Sequence, residues 1–416
     1  MLPRSRVRDT EATERQAPIR GTLVMEEQSI ATVMTIPRPP ADMEDGAAPM
    51  LVAVEATRLS REVRGIGRYV RALLPRLVAM RPGLRLALFV KNHRDVEALM
   101  PVFTESASLR GRVTIHPVHE MVKSRADVFW YPWNTASPTP TRGPVVATMH
   151  DIVPIAHPDP RLRGWQKNLR WRRRYAATAK RATLIVADSQ FTADEIHRVL
   201  GVGYERMRVV LLAADDFVVP PSAGDAAALE RLGVCRPFVL AVGAADRRKN
   251  LDLLERAMPR VLQTHPDVTL VLAGPRRDPQ APLAEVPWRK TLGFVSDEEL
   301  AALYRVAEML VMPSTYEGFG LPVLESMQFG TPVICARASS LPEVAGDAAM
   351  LIDPDDDAAL AERIVRVMSD DHLRARLRSA SLTQAARFSW DETARRTMTA
   401  FEEAIEMAGV SPSRRR

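Results

Sequence analysis

The chain has 416 residues, too many for one ordinary domain, and 46% of them are hydrophobic, enough to bury large cores. Lys and Arg number 57 against 51 Asp and Glu, a net charge of +6, which suits phosphate-bearing ligands or an anionic membrane surface; with no zinc knuckle or aromatic RNA-binding signature beside it, nucleic acid is not the partner this charge implies. No run of about 18 apolar residues marks a membrane span. The N-terminus lacks the basic-then-apolar pattern of a signal peptide, and two distant cysteines, Cys235 and Cys335, match no metal spacing and fit a reducing cytoplasm.

Residues 1–49 mix Arg, Glu, Pro and Thr without sustained periodicity and are expected to be disordered. Order is expected to begin at Met50-Leu-Val-Ala-Val-Glu55, and Met50 is a candidate start of translation. From there strand and helix patterns alternate. Residues 69–79 predict a helix, 86–90 a strand, 113–117 and 128–131 short strands, 145–149 a strand, 162–182 a long basic helix, 183–187 a strand and 192–200 a helix. The pattern breaks at 213–224, where a linker is expected. A second alternating set follows, with strands at 238–242, 269–273, 309–312, 333–335 and 349–352, a helix at 251–263, and a last helix at 390–407 after Phe388-Ser-Trp390. This predicts an α/β protein of two doubly wound, Rossmann-like units. Residues 50–215 would form the first and 225–387 the second, with 388–409 as a closing helix.

In such sheets ligands bind beyond the carboxyl ends of the strands, and the motifs fall there. The most informative is Pro313-Ser-Thr-Tyr-Glu-Gly-Phe-Gly-Leu-Pro-Val-Leu-Glu325, after the apolar strand Met309-Leu-Val-Met312. Pro322 is expected at the first helical position, which puts Glu317 on the loop, Glu325 on the first turn, and both at one helix N-terminus, where N–H groups favour an anion. Phosphate-holding N–H groups beside carboxylates that accept hydroxyl hydrogen bonds describe a nucleotide-sugar pocket. A cationic counterpart is Gly243-Ala-Ala-Asp-Arg-Arg-Lys-Asn250. Asn250 is expected to cap the next helix, so Arg247, Arg248 and Lys249 crowd a helix N-terminus where positive charge is unfavourable unless an anion offsets it; the alternative is a solvated charge run.

Arg64-Gly-Ile-Gly-Arg68-Tyr-Val70 lacks the third glycine of a dinucleotide fingerprint, with Val70 in its place. Gly65 and Gly67 are therefore either a flexible turn or a backbone floor on the acceptor side. His150-Asp151 ends the strand at 145–149; a lone histidine is usually structural, but its place facing the expected cleft favours a role in hydrogen-bonding a donor sugar or positioning the transferred group, with Asp151 able to orient the imidazole. Asp353-Pro-Asp355-Asp356-Asp357 contains an Asp-x-Asp but precedes a helix, and acids there need no metal. The helix from Leu162 carries Arg163, Lys167, Arg170, Arg172, Arg173, Arg174, Lys180 and Arg181, with Leu162, Trp165 and Leu169 at helical spacing. It reads equally as a membrane-surface helix and as a core-facing stripe with a solvated basic face.

Together these residues resemble the large retaining glycosyltransferase family 4, the group 1 glycosyl transferases that include bacterial mannosyl- and rhamnosyl-type enzymes of surface polysaccharide assembly. The resemblance runs from Met50 to about Ala404. Glu317-Gly-Phe-Gly-Leu-Pro-Val-Leu-Glu325 looks like the family's Glu-x7-Glu donor motif, flanked by Gly293-Phe-Val-Ser-Asp-Glu-Glu-Leu300 and Ser339-Ser-Leu-Pro-Glu-Val-Ala-Gly346. It implies a GT-B architecture: two Rossmann-like domains facing a cleft, donor mainly on the C-terminal one, acceptor on the N-terminal one, and a last helix crossing back to the first. It also implies site roles. Glu317 would contact the donor sugar, Glu325 the ribose, and Arg248 with Lys249 the diphosphate. Gly318, Phe319, Gly320 and Leu321 would offer backbone N–H groups, His150 would approach the transferred sugar, and Gly65 and Gly67 would line the acceptor and phosphate loop. Many members carry arginine directly after the glycine at 243; here Ala244 stands there, and Arg247 or Arg248 is left to supply the charge.

The reading is a cytoplasmic hexosyltransferase, peripheral to the membrane if the basic helix binds lipid. It needs no metal or cofactor and transfers with retention from a nucleotide diphosphate sugar to a glycan or lipid-linked glycan. GDP-mannose is the first guess for the donor, on resemblance alone. The alternatives are a non-catalytic nucleotide-sugar-binding protein and a nucleotide-sugar epimerase of related fold.

Overall fold

A computed structural model describes residues 34–35, 49–62, 65–101, 106–109, 111–137, 142–158, 162–217, 224–243, 247–274 and 286–409. Two sheets organise them. The first has eight strands in the order β1-β4-β3-β2-β5-β6-β7-β8: β1 Met34–Thr35, β2 Met50–Glu55, β3 Leu84–Val90, β4 Val113–Pro117, β5 Val128–Tyr131, β6 Val145–Met149, β7 Leu184–Ala187 and β8 Met207–Val209. The second has six, ordered β11-β10-β9-β12-β13-β14: β9 Phe238–Val242, β10 Thr269–Ala273, β11 Arg289–Gly293, β12 Met309–Met312, β13 Val333–Ala336 and β14 Ala349–Ile352. Every pairing is parallel except β1 on β4. The parallel strands are short apolar runs because helices cover both faces and leave no wet side to alternate toward.

Strand order reverses between β2 and β5 in the first sheet and between β9 and β12 in the second. Such switch points open a crevice beyond the strand ends. Each sheet has its own buried cluster on one face. On the other face a continuous apolar core includes residues of both units, with Val54 and Trp130 from the first and Leu310 and Val323 from the second. The helix Trp390–Met407 packs on the first unit against helix Ile66–Met80. It buries Trp390, Phe401 and Ala404 completely, and the pairs Arg76–Asp391, Arg81–Glu402 and Arg208–Glu403 fasten it there. The last helix therefore crosses back, as expected.

Three strands depart from the sequence reading. β8 is a three-residue edge, and β11 reads Arg-Lys-Thr-Leu-Gly along another edge, where half-exposed side chains need not be apolar. β1 precedes Met50, pairing Met34 with Ile115 and Thr35 with Thr114, so ordered chain does not begin at Met50. The expected disorder of the rest of 1–48 lies outside the described residues, as do Arg64, Ala244 and the C-terminal tail.

Candidate active site

Gly243 follows β9 with φ 133°, and a Cβ there would lie 2.8 Å from Lys249 Cε. The lysine side chain thus lies across the bare glycine. Beyond it, Lys249 Nζ reaches Glu317 Oε1 at 2.7 Å, with side chains 13% and 12% exposed. Glu317 follows β12, so the ion pair stands over the β9/β12 switch point. Asn250 does not cap helix Leu251–Thr264. It sits at φ 50° with no side-chain cap bond; its Nδ2 donates instead to the carbonyls of Pro313 and Pro354, at 3.2 and 2.7 Å. The asparagine ties the cationic turn to the Glu317 loop, reinforced by Thr315 N–H donating to the Arg248 carbonyl at 2.8 Å. Arg247 is exposed, while Arg248 is half-buried and its charge acts on Asp151 of the first unit. Of the two candidates for the missing basic residue, Arg248 is the one turned into the cleft.

The helix after the loop spans Leu321–Gln328, with Gly320 at its N-cap position. Leu321 is thus the first helical residue and Pro322 the second. Glu325 falls in the second turn, not the first, and does not share the helix N-terminus with Glu317. Its partners explain its place. Oε1 accepts from Arg68 Nη1 at 3.0 Å and Oε2 from the Tyr304 hydroxyl at 3.0 Å.

Between the carboxylates the loop is plugged into the first unit. Tyr316 packs edge-on against His157 and Phe191, with ring centroids 4.7 and 5.2 Å apart. The Gly318 carbonyl accepts from Ser189 Oγ at 2.6 Å and Thr192 Oγ1 at 3.0 Å. A Cβ on Gly318 would stand 1.9 Å from the His150 carbonyl oxygen. Phe319 is buried edge-on to Phe388, and its carbonyl accepts from Ser340 Oγ at 2.7 Å. Leu321 packs against the shared core. Gly320, at φ 106°, lies against Leu341. The two loop glycines thus have different reasons: Gly318 lets the units approach closely, and Gly320 takes a left-handed backbone turn inside the second unit.

His150 is placed otherwise than expected. Its ring turns into the first unit, with Nδ1 2.5 Å from Asp188 Oδ2 and Nε2 2.8 Å from the Pro132 carbonyl. Asp188, not Asp151, orients it; Asp151 Oδ1 instead accepts from Val153 N–H at 3.1 Å. Burial alone would lower the imidazole pKa, but the Asp188 carboxylate and the Pro132 carbonyl outweigh it and hold the proton above the ordinary range. What His150 presents to the second unit is its carbonyl. The Asp151 carboxyl, pushed up by burial, faces Arg248. Gly65 turns the chain at φ 60° with open space beside it, while a Cβ on Gly67 would meet the Glu62 carbonyl at 1.5 Å. Here the turn entering a helix is the geometry seen, and it is Arg68, one residue on, that crosses to the second unit.

Asp353 and Asp356 are engaged locally: Asp353 accepts from Asp355 N–H, and Asp356 caps its helix through Ala359 N–H. Among the described residues no group of three or more His, Cys, Asp or Glu gathers as a metal site, and no helix is long and apolar enough to cross a membrane.

Comparison with known proteins agrees with this geometry. Residues 230–383 match the family model described as glycosyl transferases group 1, and residues 63–216 the model for glycosyltransferase family 4. The O-antigen chain mannosyltransferase B of Escherichia coli is 30% identical over 376 residues, covering 81% of this chain and 96% of that one. The chain belongs to glycosyltransferase family 4. An MMP alpha-(1->4)-mannosyltransferase of Mycolicibacterium hassiacum is 32% identical over 286 residues, or 63% of this glycosyltransferase and 66% of that enzyme. Among solved structures, Anabaena HepE in complex with UDP and glucose superposes with TM-score 0.66 at 20% identity, covering 85% of this chain and all (100%) of that one. WaaG, a glycosyltransferase of lipopolysaccharide biosynthesis, gives TM-score 0.58 at 14% identity, covering 84% and 98%. At those identities the likeness is one of fold, and the fold is GT-B.

Sequence reasoning missed Asp188, Ser189 and Arg68. Asp188-Ser189 follows β7 as His150-Asp151 follows β6, and Arg68 stands inside the quoted Gly-Ile-Gly-Arg. Position after a strand was the available signal for the first pair. For Arg68 there was none beyond its charge.

Proposed function

We propose that this glycosyltransferase moves a hexose, mannose in the first instance, from a nucleotide diphosphate sugar to a glycan or lipid-linked glycan hydroxyl, with retention and without a catalytic metal. The observation that carries the reading is the Lys249–Glu317 ion pair at the switch point. An ammonium held there before the donor arrives meets the charge that grows on the departing diphosphate, so it stabilises the transition state more than the ground state. Arg248 adds a planar fork for the same phosphates. Glu317 accepts hydroxyl hydrogen bonds of the sugar, and Glu325 those of the ribose. His150 and Gly318 act as positioning residues, seating one unit on the other. Residues 225–387 would bind the donor and 50–215 the acceptor. Mannose is favoured by the relatives' names; the HepE complex names UDP-glucose chemistry instead, so GDP-mannose stands as first choice to test, not as the sole donor.

The basic helix Leu162–Arg181 exposes Lys167, Arg170, Arg172, Arg173, Arg174 and Lys180 beside Trp165, itself 66% exposed. Such a face suits an anionic leaflet carrying a lipid-linked acceptor, which would place the enzyme at the cytoplasmic face of a membrane.

The test is turnover of GDP-mannose and UDP-glucose with and without EDTA, the product's anomeric configuration being read by NMR. Retention in EDTA is expected, and Lys249→Ala should lower kcat by on the order of 10²-fold or more while the fold persists. Loss of activity in EDTA, inversion at the anomeric carbon, or full activity of Lys249→Ala would each refute the part it addresses.

A further inference from the structure

Glu325 lies in the donor unit, yet the cation that holds it comes from the opposite one. Arg68 stands in the first turn of helix Ile66–Met80 and is 17% exposed. Its Nη1 donates to Glu325 Oε1 at 3.0 Å and its Nη2 to Asp216 Oδ1 at 2.8 Å, while the guanidinium lies over the Phe217 ring, 4.6 Å from its centroid. Asp216 is itself fixed, for the Trp390 indole N–H donates to the same Oδ1 at 2.8 Å, and Trp390 is fully buried at the start of the crossing helix. On the other side of Glu325, the Tyr304 hydroxyl holds Oε2, and the Tyr304 ring is fully buried against Phe217 and Phe329. One oxygen is thus held by each unit, by side chains with little freedom to move.

We propose that Arg68 is a positioning residue for the donor ribose: from the acceptor-side unit it aims the Glu325 carboxylate, so the ribose site is completed only when the two units are in register. The inference rests on the reading of Glu325 as the ribose ligand. A planar guanidinium bonded at two points fixes the direction of its partner, which a flexible ammonium does not. Two hydroxyls binding one carboxylate gain from that because no rotamer has to be frozen on binding. The crossing helix then takes part through Trp390, Asp216 and Arg68 in turn. A donor bound to the second unit alone, with the units apart, loses ribose recognition.

The experiment is calorimetry with GDP against 2′,3′-dideoxy-GDP, and with UDP against 2′,3′-dideoxy-UDP, on the full chain. The wild type should prefer the ribonucleotide of the better pair by on the order of 10- to 100-fold, the size expected for charge-assisted hydrogen bonds. Arg68→Met should cut that preference to under about threefold, chiefly by weakening the ribonucleotide, and Arg68→Lys should cut it by at least about threefold. Arg198→Met, which removes an exposed cation of the first unit that pairs with Glu195 one turn away on the same helix, should leave the preference unchanged. An undiminished preference in Arg68→Met, or in Arg68→Lys if the methionine variant does not fold, overturns the proposal, as does an equal loss in Arg198→Met. Glu325→Gln separates the two claims. If it keeps the wild-type preference, the ribose reading of Glu325 has failed; if it erases the preference while Arg68→Met does not, only the role of Arg68 has failed.

Discussion

Gly318→Ala tests the seat between the two units most directly, since Gly318 is not at positive φ and the substitution adds contact without backbone strain. The new Cβ would stand 1.9 Å from the His150 carbonyl oxygen, and Cβ contacts below 3.0 Å essentially do not occur. Backbone faces backbone there, so no side chain can swing away, and the loop must retreat by about 1.1 Å or more. That retreat stretches the bonds from Ser189 Oγ and Thr192 Oγ1 to the Gly318 carbonyl, now 2.6 and 3.0 Å. Losing both costs about 1–3 kcal/mol of closure, and residual overpacking costs about 1–3 kcal/mol more. The groups proposed for the diphosphate, Arg248 and Lys249, all belong to the second unit, so nucleotide affinity should fall by less than about tenfold. On the proposed roles the reaction needs the acceptor on one unit aligned with the sugar on the other, and misplacement by about 1 Å is worth on the order of 10² in rate. The assay is steady-state kinetics with the preferred donor beside nucleotide calorimetry. A kcat within about twofold of wild type would refute the argument that this glycine sets the working distance between the units.

Two further outcomes follow from the buried groups. His150 keeps its proton against Asp188, so the raised imidazole pKa contributes stability that is complete below the unfolded value near 6.5 and lost as pH rises through the folded one. Above pH 6.5 the wild-type unfolding free energy should fall more steeply with pH than that of Asp188→Asn, by up to about 1.4 kcal/mol per pH unit for the one retained proton; parallel curves would refute the pairing as a proton-holding device. A chain ending at residue 387 removes Trp390, Ala394, Phe401 and Ala404 from the first unit and exposes the apolar face they cover. It should be insoluble or melt far lower, and a soluble monomer with wild-type melting would refute the structural role of the crossing helix.

Much of the fold was legible because parallel strands buried on both faces leave short, mostly apolar runs of four to six residues, as at Val145–Met149 and Met309–Met312. Edges were not legible, since β11 is paired on one side and tolerates Arg and Lys. In the candidate site, Lys249 and Glu317 could be foreseen as facing charges, because each lies on the segment that leaves a strand flanking the switch point. Asn250 could not. A residue with good capping chemistry, placed just before a helix, spends its side chain on two proline carbonyls far away in sequence, and local propensity carries no information about such partners. Pro322 misled by one position, which was enough to put Glu325 on the wrong turn.

That one-turn difference alters the logic of the two carboxylates. Had both stood at the helix N-terminus, one local field would have served them and the donor unit would be self-sufficient. Instead Glu317 is balanced by a lysine of its own unit, and Glu325 by an arginine of the other. The first pair is set by the β9/β12 crossover alone and persists whatever the units do. The second exists only while helix Ile66–Met80, Asp216 and helix Leu321–Gln328 meet. If Lys249 and Glu325 have the roles proposed for them, the phosphate contact is available within one unit, whereas the ribose contact needs both. On that reading, binding energy drawn from the ribose depends on the register of the two units and bears on kcat as well as affinity.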